Sequence, residues 1–221
     1  MKVQPQTFQD DIQRVAKNLS AARIGNVKLE RMLSERLLSC HPKKTCFVLL
    51  GNLQYKKQVR KELETCPLQF GEFEMKEKEQ DVYLGDVLSS RGLAASVEAT
   101  IAHRMGRIKC SMYETAAILK DWRMQCVGGM MGAWDIWEMS IIPSLLANCG
   151  TWVEISQRAI DTLDGLQDLY CSLVYSCPGS TPKPALRGEA GLLDMSHRIY
   201  VEKVCLVSSV MFSGEEQNYA K

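Results

Sequence analysis

Near Gly92 the chain changes its hydrophobic period. Before it, apolar residues come in short runs broken by turn residues. After it, they recur at helical spacing from about Leu93 to Trp122, from about Gly129 to Leu146 and from about Ile155 to Tyr175. A single switch of this kind separates a strand-bearing part from a helical one. The expected fold class is therefore α+β, with a mixed part over residues 1–88 and an all-helical part over 89–221.

Within the first part, Ser20 to Ser39 reads as a helix on apolar Ala22, Leu29, Leu33 and Leu37, with Ser20 as N-cap and His41-Pro42 as terminator. Gly25 and Asn26 weaken its first turns. Cys46 to Leu50 is a wholly apolar run closed by Gly51-Asn52, the pattern of a buried strand. Tyr55 to Glu64 reads as a short charged helix. Leu68-Gln-Phe70 and Phe73-Glu-Met75 alternate around Gly71-Glu72, which signals a hairpin, and Val82-Tyr83-Leu84 is a third short strand before Gly85-Asp86.

Composition narrows the functional classes. A formal charge of +1 rules out polyanion binding by bulk charge, so any such role must come from local patches. None of the nine cysteines forms a C-x-x-C pair, and His41, His103 and His197 lie far apart, so no zinc ribbon or knuckle is expected. The scattered cysteines fit a reducing, intracellular setting and are expected to be mostly small core residues. The most apolar stretch, Met139 to Ala147, contains Pro143 and falls far short of the ~20 residues that span a bilayer, so no membrane partner is expected. Trp122, Trp134, Trp137 and Trp152 are candidates for base stacking, but core packing of the helical part is the expected use.

Four blocks, in order, resemble the reverse transcriptases of non-LTR retrotransposons. Phe8-Gln9-Asp10-Asp11 fits the x-x-D-D signature of a polymerase palm. His41-Pro-Lys-Lys44-Thr45 resembles the N-x-x-K-[ST] block that leads into a core strand, with His where the family has Asn. Tyr83-Leu84-Gly85 matches the Y-L-G primer-grip segment. Trp137-Glu138, Ile142-Pro143, Thr151-Trp152 and Ser180-Thr-Pro182 follow the wording of the thumb and the region after it. The resemblance spans about residues 8 to 212 and rests on the order and spacing of the blocks.

It implies a truncated palm with β-hairpins followed by a helical thumb, and an ancestral RNA-directed DNA polymerase (nucleotidyltransferase) activity. Nucleotidyl transfer uses two divalent metals ~4 Å apart, and hard Mg²⁺ prefers carboxylate oxygens. By resemblance, Asp10 is the direct Mg²⁺ ligand and Asp11 the supporting carboxylate; otherwise the pair is merely solvated. Lys44 lies near the incoming triphosphate on this reading, or is a surface lysine. Tyr83, Leu84 and Gly85 form the primer grip, with backbone contact at Gly85 and a ring at Tyr83 that equally suits core packing. Lys56, Lys57, Arg60, Arg104, Arg107 and Lys109 would hold phosphates of an RNA template and DNA primer duplex, or line ordinary solvated helix faces.

In this family a further palm aspartate and the fingers precede the x-x-D-D block. Only seven residues precede Phe8, so the expectation is a fragment without polymerase activity of its own. Two other readings stay open: a non-catalytic nucleic-acid-binding module and a helical interaction protein.

Overall fold

The computed structural model describes residues 6–8, 11–120 and 127–219. The protein is α+β and mostly helical, 62%, with a few short strands. It divides into two compact units, residues 1–96 and 97–221.

The first unit begins with β1 (Gln6–Phe8) and β2 (Asp11–Gln13), an antiparallel pair in which Phe8 faces Asp11. Helix α1 covers Leu19–Glu35 and starts one residue before Ser20, because the Asn18 side chain accepts the Ala21 amide at 2.8 Å and takes the capping role. It also ends four residues before the expected Ser39. The amides of Leu37 and Leu38 turn back to the carbonyls of Ser34 and Leu33, with Leu37 at φ 56°. That is a Schellman ending built on a leucine instead of a glycine, so His41-Pro42 lies in the following loop.

The run Cys46–Leu50 gives less strand than expected. β3 is Cys46–Phe47 alone, half-buried where a buried strand was expected, and parallel to β6 (Lys76–Glu77), which ends opposite Phe47. Between them lie α2 (Leu53–Thr65), capped by Asn52, and the expected hairpin of β4 (Gln69–Phe70) and β5 (Phe73–Glu74), with Gly71 at φ 58° in its turn. The third strand begins earlier than read and stops before Leu84. β7 (Gln80–Tyr83) pairs antiparallel with β8 (Asp86–Ser89). Leu19, Leu33, Val59, Leu68, Phe70 and Val87 are buried in this unit.

Helix α3 (Leu93–Leu119) crosses the division between the units. The second unit continues with α4 (Val127–Ile136), a π-turn over Trp137–Ile141, α5 (Ile142–Leu145), a 3₁₀ turn at Cys149–Thr151, α6 (Gln157–Val174), α7 (Lys183–Glu189) and α8 (Met195–Tyr219). The π-turn has a cause in Pro143. Proline offers no amide hydrogen, and its ring would press on the carbonyl of Met139 four residues back; opening the helix by one residue relieves both problems. Trp137, Ile141 and Leu145 remain fully buried across it.

The core of this unit is aromatic at its centre. Trp137 stacks on Tyr170 with ring centroids 4.7 Å apart, and Trp134 meets Tyr170 edge-on at 5.6 Å. Trp152 is buried as well, so the described tryptophans serve packing. The cysteines do not follow their expected burial. Among the eight described, Cys149 and Cys171 are buried, while Cys66, Cys110 and Cys205 are exposed. No described helix is long and apolar enough to cross a membrane.

Candidate functional site

The Phe8–Asp11 segment forms a hairpin. Phe8 pairs with Asp11 in the antiparallel β1–β2 ladder. Gln9 and Asp10 lie outside the described residues; Asp11 is the first residue of β2.

What anchors the hairpin is unexpected. Arg14, just past β2, lays its guanidinium across α1 and donates to the Ala22 carbonyl and the Asn26 Oδ1, both at 2.6 Å. Gly25 makes room for it: a Cβ there would sit 1.1 Å from the Arg14 Nη1. Buried Asn26 then donates to the Gln69 carbonyl of β4 at 2.7 Å. The two residues that weaken α1 by propensity thus form the seat of the arginine and the tie to the next hairpin. Burial lowers the Arg14 pKa from its ordinary value. The sequence signal was present, as a Gly-Asn pair inside a helical pattern invites a close approach.

Lys44 is exposed at the end of the His41–Lys44 turn, where its amide and that of Thr45 both reach the His41 carbonyl at 3.0 Å. The Cys46 thiol behind it has a raised pKa, through burial first and then the nearby Asp81 carboxylate.

Tyr83, Leu84 and Gly85 end one hairpin strand and make its turn. Tyr83 pairs with Asp86, and Leu84 and Gly85 take φ values of 49° and 82°. Two consecutive positive φ angles give a hairpin turn whose twist matches its strands. Glycine does this freely; leucine is strained there. The Leu84 side chain is exposed at the tip, whereas the Tyr83 side is half-buried.

The six basic residues divide by what they already hold. Lys56 donates its Nζ to the Ser90 carbonyl. Arg60 forms a two-pronged pair with Glu77, at 3.1 and 2.6 Å. Arg104 donates to the carbonyls of Leu145 and Ala147 at 3.0 and 2.8 Å, closing the C-terminus of α5. A phosphate would have to compete with these contacts. Lys57 on α2 and Arg107 on α3 are exposed, and Lys109 is half-buried. Among the described residues no three His, Cys, Asp or Glu side chains are grouped to hold a metal.

A second polar centre escaped the sequence reading. Arg187 of α7 binds Asp168 at 2.7 and 3.3 Å and Asp194 at 2.6 Å, with Asp164 3.9 Å away. Asp164 also accepts the Met195 amide at the start of α8. This joins α6, α7 and α8 through one guanidinium. The row Asp161, Asp164 and Asp168, spaced three and four apart on a helix, was the available clue. No family model, curated protein or solved structure shows a significant match to the chain.

Proposed function

We propose that the chain derives from the reverse transcriptase of a non-LTR retrotransposon and carries the x-x-D-D hairpin, primer grip and thumb of that RNA-directed DNA polymerase. The observation that supports this most is the Phe8–Asp11 pairing, since an aromatic-x-Asp-Asp segment works as a metal site only where a tight hairpin turn brings its carboxylates together. The Leu84-Gly85 turn adds support as a strained hairpin tip of the kind found at ligand-contacting sites. In this reading Asp10 and Asp11, with a further carboxylate from a neighbouring strand, would hold the Mg²⁺ that activates the primer hydroxyl. Lys57 and Arg107 would contact phosphates of the RNA–DNA duplex.

Duplex binding tests the reading. Fluorescence anisotropy with a labelled RNA–DNA hybrid should show affinity that falls with salt. The Lys57→Ala, Arg107→Ala double variant should bind more weakly, with a salt slope smaller by about 2. No binding at low salt would sink the reading. Primer extension by the 221-residue chain is expected to give no incorporation. Incorporation that Asp10→Ala abolishes would instead make the chain a polymerase by itself.

A further inference from the structure

The last helix carries an apolar seam that faces away from its own unit. Met195 and Ile199 of α8 are buried, and the Glu202 backbone and Leu206 side chain lie against Gly150, within 3.1–3.3 Å of where a Cβ on that glycine would stand. The opposite side presents Tyr200, Val204, Val207 and Met211. Their spacing of four, three and four is that of a coiled-coil seam. With Val201 and Val210 beside them, these residues are each 45–69% exposed. Taking roughly 170 Å² for a large apolar residue, the six expose about 600 Å². Phe212 brings the face to about 700 Å². That exceeds the largest apolar patch of an ordinary monomer, ~300–600 Å², and approaches the ~800 Å² each partner contributes to a standard interface.

The order of residues identifies the occupant. The seam reads large, valine, valine, large from either end, with the same spacing. A twofold axis between Cys205 and Leu206 would set Tyr200 against Met211 of a second copy and Val204 against Val207. An isologous pair requires this self-complementarity, and a ring against a methionine sulfur is a favourable contact. Lys203 is the one charged side chain bordering the seam from 200 to 211, and in this register it does not meet its own copy. We infer that the protein forms a twofold dimer in which the α8 helices of two copies pack antiparallel along Tyr200, Val204, Val207 and Met211.

Sedimentation equilibrium of the whole chain tests this. The wild type should sediment at twice its 24.9 kDa; a monomer, or an open series of larger species, would overturn the inference. The Val204→Glu, Val207→Glu variant should dissociate about a hundredfold more readily or better. Both positions are exposed, and unchanged far-UV circular dichroism checks the fold. Persistence of its dimer would show that another face is responsible. The Val204→Glu, Val207→Lys variant decides the orientation. In the antiparallel pair it sets the introduced carboxylate at position 204 against the introduced ammonium at position 207 of the other copy. In a parallel pair it sets like against like. It should remain dimeric; if it falls apart as the double-glutamate variant does, the antiparallel arrangement is wrong.

Discussion

Replacing a mid-helix glycine by alanine ordinarily stabilises a protein by about 1 kcal/mol. At Gly25 the sign should reverse. The added methyl would stand 1.1 Å from the Arg14 Nη1, so the guanidinium must leave its seat. It then loses two 2.6 Å bonds. The Ala22 carbonyl loses a donor from outside the helix, and Asn26, buried among its neighbours, keeps its tie to Gln69 but has an Oδ1 without its cation. Hydrogen bonds to charged groups contribute about 1.5–3 kcal/mol. Some of that is recovered because Arg14 can reach solvent, which leaves a loss of about 2 kcal/mol. Against the helical gain, Gly25→Ala should destabilise by about 1 kcal/mol. In an Arg14→Ala background the conflict is gone, and the same substitution should stabilise by about 0.5–1 kcal/mol. Urea unfolding of the four proteins of this double-mutant cycle, followed by circular dichroism, measures both values and their coupling. If Gly25→Ala stabilises the wild type, Arg14 does not occupy the groove and the account of how the first hairpin is held fails.

Other expectations follow from single features. Arg187 is 19% exposed and Asp168 15%; Arg187→Met strands that carboxylate and should cost about 2–3 kcal/mol in denaturant unfolding, where a loss below about 0.5 would exclude a structural role. Leu37, 96% exposed at φ 56°, contributes no packing, so Leu37→Gly should stabilise by about 0.5–1 kcal/mol, read as a raised denaturant midpoint. Burial pushes the Cys149 and Cys171 thiols up from 9.0 to about 11. The fold favours their neutral forms, so their contribution to stability is complete below pH 9 and declines as the pH passes 11. At pH 8 an alkylating reagent followed by mass spectrometry should modify exposed Cys66, Cys110 and Cys205 well before those two; equal rates would contradict their burial.

The division into a strand-bearing and a helical part was legible because the hydrophobic period changes once, and the hairpin at Gly71 was legible because alternation flanks a glycine free to take positive φ; strand β8 was not read, and Leu84 takes a positive φ with only the following Gly85 to hint at the turn. Helix ends were harder. Leu37 adopts the left-handed ending with no glycine to announce it, held by backbone bonds that any residue could make. The early start of α1 turned on whether Asn18 or Ser20 capped it, and both are good caps. Basic residues were visible as charges, but the sequence does not show that Arg60 is claimed by Glu77 or that Arg104 closes a helix 41 residues on. Such pairings depend on tertiary placement, and the Arg187 centre was missed for the same reason. Asp10 lies outside the described residues, so the metal-binding reading rests on the Phe8–Asp11 register and on resemblance.

The π-turn at Trp137–Ile141 also constrains how this chain could change length. It holds one residue more than α-helical pairing needs, so a deletion at Met139 or Ser140 would leave the backbone bonds easy to remake. The Ile142 amide already bonds the Trp137 carbonyl across the turn, so a deletion inside it keeps that bond and the phase of both flanks, whereas a deletion in the regular helix on either side would turn one flank by about 100° against the other, taking Trp137 off Tyr170. An insertion would do the reverse. Related chains are expected to tolerate the loss of one residue inside Trp137–Ile141 while keeping the length of the helix on either side fixed, with their other gaps falling in the loops that flank α6 and α7.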